Sequence, residues 1–459
     1  MTMIARSHNL CRTRRPNLQL SVGHCPFAAY ARYAEELSVR LADNTFAVKP
    51  GVIGTVYFAG GSKPEGRRGL LACFDKFDEM FGKHLITGKD EDLAKFSKKT
   101  AKGVEKIRKA ISDSADFVQV SVMRSSAPTS AVAPDYQIVT LTGSANPFDY
   151  EAPSGYKVPK GEEMELSFLK FSVPMELVTK PEGQAQYEYF LHYVCEQLDV
   201  RGGYGGLSAV TAYDYHKWQA QEWAIAERFS GIEVDACAHF GRDEYDPVSY
   251  EGEEGALTEI YNFLKPGKKV HRWGFIKGVN WYTLLSDVFV ERLGGDDALR
   301  AALDRDDIQI ERINHCVLVR AGPFPRLGAP EEGLPEPYVF VNSVLRTLRN
   351  PKPDGLHLYD PQLDNADSKN ARTWQARFDL PDAPPIPEPP TIVPPPVSRE
   401  PARQSVRGGN PCPEAGWWHT PAKTGSRRHF EAGEIMPVIE GSSWGTTNWH
   451  WSPTEKQDG

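Results

Sequence analysis

Apolar residues along this chain follow two rhythms. Short runs rich in β-branched and aromatic residues, bounded by Pro, Gly or Ser, predict strands at 117–123, 138–142, 166–173 and 315–319. A spacing of three to four predicts helices elsewhere. Over 91–113 the positions Leu93, Phe96, Val104, Ile107 and Ile111 recur at helical steps, and seven basic residues crowd the other faces. Segments 190–198 and 214–228 read as helices too. So does 281–293, with Leu284, Leu285, Val288, Val290 and Leu293 apolar and Trp281 anchoring it into the core. Gly294 and Gly295 stop it, as glycine does at a helix C-terminus. Segment 296–303 opens with two acids, which suits the positive end of a helix dipole. Clustered strands with intervening helices and no βαβ rhythm predict an α+β fold, mainly an antiparallel sheet packed with helices.

Proline breaks the pattern at 381–397, where nine of seventeen residues are proline. Neither helix nor central strand tolerates that density, so an extended spacer is expected. The chain then divides into a globular body over 1–375, a Pro-rich linker over 376–407 and a small module over 408–459. That last piece holds Trp417, Trp418, Trp444, Trp449 and Trp451, half of the ten tryptophans. Aromatics at that density can bury enough area to form a small folded unit or a docking surface.

Charge narrows the function. The net charge of −8 and pI near 5.9 argue against a general nucleic-acid binder and allow a basic protein partner. No run approaches the roughly 18 apolar residues of a membrane span. Seven scattered cysteines without a CxxC pair suit a reducing compartment. The basic N-terminus leads into no apolar signal region, so the cytoplasm is expected.

Motifs for catalysis are weak. The glycine cluster over 201–208, which includes Gly203 and Gly205, lacks the spacing of a dinucleotide or phosphate loop. Close backbone approach explains it better. A GxSxG string at 441–445 lies in the Trp-rich tail with no helix after it. Cys237 and His239 have no third group to orient them. The histidines never form HxH or HxxxH, so a histidine metal site is not expected. Asp243, Glu244, Asp246, Glu251, Glu253 and Glu254 crowd one stretch. A misplaced Gly252 and an intruding Pro247 spoil it as a calcium loop. It reads as a solvated acidic loop, or as a surface that docks on a basic active site.

Segment 275–295, FIKGVNWYTLLSDVFVERLGG, resembles the signature of the type VI secretion immunity protein family. Gly202–Ser208, segment 229–235 and segment 317–328 are similar to further motifs of that family, in order. Gly203, Gly205, Gly278, Asn280, Trp281, Gly294, Gly295 and Gly322 are the structural positions of these motifs. Gly278 and Asn280 suit a tight turn where φ can be positive. The tail (410–418, 427–430, 433–437) is similar to a short module of proteins linked to the same secretion system.

The resemblance implies a protein that binds a cognate toxic effector and blocks it, with no cofactor, metal or reaction of its own. If that effector is a nuclease, its phosphate-binding face is basic, and the acidic stretch 243–254 is the natural complement. Two other readings stay open. One is an enzyme that reverses the toxin's damage; the other is an effector adaptor or chaperone.

Overall fold

The computed structural model describes residues 28–89, 96–112, 119–143, 150–151, 157–158, 166–213, 215–235, 275–351, 353, 355–357, 366–386, 405–420, 422–423, 425–440 and 447–451. The chain forms two compact units, Met1–Pro389 and Pro390–Gly459. In the first, the elements run α1 (Ala28–Arg32), β1 (Val39–Arg40), β2 (Phe46–Ala59), α2 (Pro64–Phe81), β3 (Thr87–Lys89), β4 (Ser97–Lys98), α3 (Ala101–Ser112), β5 (Ser121–Ser125) and β6 (Gln137–Leu141). A small β7–β8 ribbon follows (Tyr150–Glu151 and Lys157–Val158). Then come β9 (Ser167–Pro174), α4 (Met175–Val178), α5 (Pro181–Gln197), β10 (Asp199–Thr211) and α6 (Gln219–Arg228). The unit continues with β11 (Tyr282–Ser286), α7 (Asp287–Arg292), α8 (Asp296–Ala302), β12 (Ile308–Ile313), β13 (Cys316–Ala321), α9 (Glu336–Leu345) and α10 (Ser368–Gln375).

One eleven-stranded sheet organises this unit, in the order β12-β13-β11-β10-β2-β9-β6-β5-β3-β4, with β1 added to β2. Its pairings are antiparallel, as the α+β expectation requires. The centre is β2, whose sequence FAVKPGVIGTVYFA is buried along nearly its whole length. A strand covered on both faces shows a continuous apolar run instead of alternation. The long helices α2 and α5 each begin with proline, which is pre-shaped for the first turn. They cover one face of the sheet. Phe77 and Phe190 meet edge-on at 5.1 Å, and Phe171 of β9 meets Phe190 at 4.8 Å.

The structure corrects several boundaries. Segment 281–293 is not one helix. Tyr282–Ser286 is β11, a strand between β10 and β13, and only Asp287–Arg292 is helical. All five residues of β11 are buried, so both faces are covered and the periodicity is lost. Trp281 is fully buried, as expected, but it anchors a strand. The basic helix starts at Ala101, where the Thr100 hydroxyl accepts the Gly103 amide at 3.0 Å, and Ser97–Lys98 belong to β4. Leu93 and Asp113 lie outside the described residues. Glycines 201–208 are strand β10 itself, with Gly294 and Gly295 at φ 94° and 95° after α7.

The second unit has its own sheet, order β14-β17-β15-β16, from β14 (Val406–Arg407), β15 (Gly416–His419), β16 (Arg428–Phe430) and β17 (Asn448–Trp451). Trp418, Phe430, Met436, Trp449 and Cys412 form its buried core. Of the tryptophans noted above, Trp418 and Trp449 lie in this core and Trp451 packs against it. Most of the proline run and residues 441–446 lie outside the described residues.

Candidate functional site

The face of the sheet away from α2 and α5 carries polar side chains in register. Tyr204 of β10 lies opposite Thr55 of β2, and Thr55 lies opposite Lys170 of β9. Alternation puts directly opposed residues on one face, so these three form a row. Segment 229–235 crosses this row. Its Glu233 amide donates to the Leu207 carbonyl at 2.8 Å, and Ser208 Oγ donates to the Glu233 carbonyl at 3.1 Å. Ile232 and Val234 are fully buried, which turns Glu233 and Asp235 onto the polar row.

Asp235 accepts from Tyr204 Oη at 3.0 Å and from Thr55 Oγ1 at 3.2 Å, and it pairs with Lys170. Burial alone would raise its carboxyl. Lys170 and Lys277, with the hydrogen bonds from Lys170 and Tyr204, outweigh burial and hold it below the usual carboxylate range. Glu233 is 3% exposed. It takes Lys277 Nζ at 2.8 Å and Asn280 Nδ2 at 2.8 Å, with Arg377 Nη2 at 3.9 Å. Lys277 also donates to the Val234 carbonyl and sits 4.2 Å from the centre of the Tyr204 ring. Burial pulls Arg377 down to about 10, against the opposing pull of Glu233. Its guanidinium covers the Trp374 ring at 3.6 Å.

A second relay extends the network. Glu222 of α6 accepts the Asp235 amide at 2.8 Å and meets His357 Nε2 at 2.9 Å. His357 Nδ1 accepts the Ala366 amide at 3.2 Å. With Nδ1 accepting, Nε2 is the nitrogen that faces Glu222 as donor. Three carboxylates and three cations thus interlock beneath the segment. A buried pair broken on one side leaves an uncompensated charge, so this arrangement fixes backbone position strongly.

The network lies at the roots of the acidic stretch. Asp243, Glu244, Asp246, Glu251, Glu253 and Glu254 are outside the described residues, as are Cys237 and His239. The chain leaves the described structure after Asp235 and returns at Phe275. Both ends are tied to one place: Glu233 to Lys277 and Asn280, Asp235 to Lys170. The Ile276 amide donates to the Leu348 carbonyl at 2.9 Å as the chain returns.

The motif residues supply close packing around these ties. At Gly206 a Cβ would overlap the Asn280 side chain, and at Gly205 it would overlap the Tyr187 hydroxyl. Tyr187 in turn donates to the Ile53 carbonyl at 2.7 Å. Gly203 lies in the same strand. Gly278 and Asn280 do not have the positive φ expected of them. Asn280 instead bonds the Trp281 amide through Oδ1 at 2.7 Å and Glu233 through Nδ2, so its amide is a crosslink. Trp281 Nε1 donates to the Gly322 carbonyl at 3.2 Å, and its ring stacks on Tyr187 at 5.4 Å.

Sequence reasoning missed Lys170, Asp235, Lys277, Glu222, His357 and Arg377 as a group. One signal was present: Lys170 interrupts the apolar strand SFLKFSV, and a lysine there requires a buried partner. Nothing local marks His357 or Arg377, which arrive from distant segments.

A separate cleft of about 300 Å³ is lined by Cys195, Leu198, Asp199, Val200, Asn314, His315 and Cys316. A hydrogen bond with Cys316, together with burial, pushes the Cys195 thiol well above its ordinary range. It therefore stays protonated and is a poor nucleophile. Asp287, beside the cleft, is held low: burial would raise it, but Arg312 and His315 bond it.

A family model described as TsiV, type VI immunity for VRR-NUC, matches residues 69–248 and 260–378. Among solved structures, the Pseudomonas aeruginosa T6SS protein PA0821 is similar at a TM-score of 0.59 and 22% identity, covering 78% of this chain and 92% of that one. That likeness is one of fold. No curated protein sequence matches.

Proposed function

Because this chain belongs to the TsiV family, the type VI immunity proteins for VRR-NUC, we propose that it binds a nuclease effector of that kind and blocks it by occlusion, without turnover of its own. The acidic stretch 243–254 would face the basic surface on which such an enzyme holds phosphates. The observation that carries this reading is the double tie at the roots of the stretch. Flanking residues held on a buried ion network leave less to order on docking than free chain ends would. The carboxylates of the network itself are occupied by Lys170, Lys277, Asn280 and His357, which suits a holding role. We place this protein in the cytoplasm of the cell it protects. Among the described residues no helix is long and apolar enough to cross a membrane.

The test is titration of effector nuclease activity with the purified full chain. Occlusion predicts that activity ends at one immunity protein per effector. Protection at a small fraction of that ratio would favour an enzyme acting on the damage instead. Association measured from low to high salt should slow steeply, because exposed charges more than about 8–10 Å apart are screened. A rate indifferent to salt would reject steering by the acidic stretch.

A further inference from the structure

The small C-terminal unit brings together two histidines that are far apart in sequence. His419 on β15 and His450 on β17 occupy directly opposed positions in an antiparallel pairing. Such positions hold Cβ atoms about 4.5–5.5 Å apart on one face of a sheet. The two imidazole rings are 5.8 Å apart between centres and tilted by 39°. Both residues are exposed, and among the described residues neither imidazole makes a hydrogen bond or an ion pair. We infer that this pair is a binding site for a late first-row divalent metal ion such as Zn2+, Ni2+ or Cu2+, with water in the remaining positions.

Three physical arguments support it. First, neutral imidazole is a preferred ligand for these ions, at about 2.0–2.1 Å from nitrogen to metal. Two rings converging on one such ion must stand a few ångströms apart with their planes inclined, as this pair does. Second, the third histidine of the same face is committed elsewhere. His429 packs edge-on against Trp417 at 5.7 Å and lies 3.6 Å from Glu431. Among the described residues no group of three or more His, Cys, Asp or Glu side chains converges. The site is therefore a two-ligand clip, not a closed structural cage. Third, the unit has a small core. Its buried core is Cys412, Trp418, Phe430, Met436 and Trp449, and Cys412 is a free thiol. Below roughly 70–80 residues a single core rarely supplies more than about 3–5 kcal/mol, and a metal, a disulfide or a partner adds to it. An ion across β15 and β17 would join two strands that are neighbours in the sheet but thirty residues apart in sequence, and its binding energy would add to folding.

The test uses the full chain without an affinity tag. Cu2+ is added and followed by electron paramagnetic resonance, and Zn2+ binding is followed by calorimetry. The wild type is compared with H419A, H450A, the H419A/H450A double variant and H429A. The expected result is a copper centre with two equivalent nitrogen ligands that the double variant lacks. H419A and H450A should each weaken Zn2+ binding by at least about 10–100-fold, the loss that even a supporting partner of a ligand can cause. H429A should bind like wild type. Zn2+ should also raise the unfolding midpoint of the tail unit in wild type and H429A, but not in the double variant. Unchanged metal affinity in the double variant, or an equal loss in H429A, would overturn the site.

Discussion

Lys277→Met offers the sharpest test of the buried network. Lys277 and Glu233 are each 3% exposed and pair at 2.8 Å. Removing the ammonium leaves the Glu233 carboxylate with Asn280 at 2.8 Å and Arg377 at 3.9 Å. Breaking a buried pair on one side costs about 3–5 kcal/mol. Since Arg377 still offers partial compensation, the lower end applies, and about 3 kcal/mol is expected. At an unfolding slope of about 3 kcal/mol per molar urea this moves the midpoint down by about 1 M. The double variant E233Q/K277M removes both charges of the pair and leaves Arg377 on the Ser230 and Trp374 carbonyls. It should be more stable than the sum of the single losses, with a coupling of about 2 kcal/mol. The assay is urea unfolding of the full chain followed by circular dichroism. A loss below about 1 kcal/mol in K277M, or strict additivity in the double variant, would refute the claim that this pair pins the segment.

Other outcomes follow from the same geometry. Gly206→Ala forces a methyl group into the Asn280 side chain and should cost about 1–3 kcal/mol as overpacking, read as a lower urea midpoint. The Asp235 carboxyl is held below its usual range by Lys170 and Lys277, against burial. Its contribution is therefore fully present above the unfolded value of about 3.9 and lost as pH falls through the folded value. The advantage of wild type over D235N should be largest above about pH 5 and shrink steadily in more acid solution; an advantage that grows on acidification would contradict the assignment. In the tail unit, Trp449 is 2% exposed, meets Phe430 at 4.9 Å and donates to the Pro437 carbonyl at 2.9 Å. Trp449→Ala should cost about 3–5 kcal/mol. That exceeds what so small a core supplies, so limited proteolysis should remove the tail while the body stays intact.

Local sequence and tertiary structure contributed different things. The α+β class, several sheet strands and the helical stretch after Gly295 follow from spacing alone, because period-two and period-3.6 patterns survive wherever one face meets solvent. The tryptophan density marked a small unit for a similar reason: aromatic area has to be buried somewhere. The same reasoning failed where burial is complete. Both faces of β11 are covered, so Tyr282–Ser286 read as the start of a helix. The network was hidden for another reason. Lys170, Glu222, Asp235, Lys277, His357 and Arg377 come from six separate parts of the chain, and apart from Lys170 each alone looks like an ordinary solvated polar residue. Likewise His419 and His450 show no metal-ligand spacing in the sequence and meet only because β15 pairs with β17. Composition and periodicity record how each residue treats water. Which charge faces which, between residues distant in the sequence, is decided only when the tertiary fold brings them to one face of the sheet.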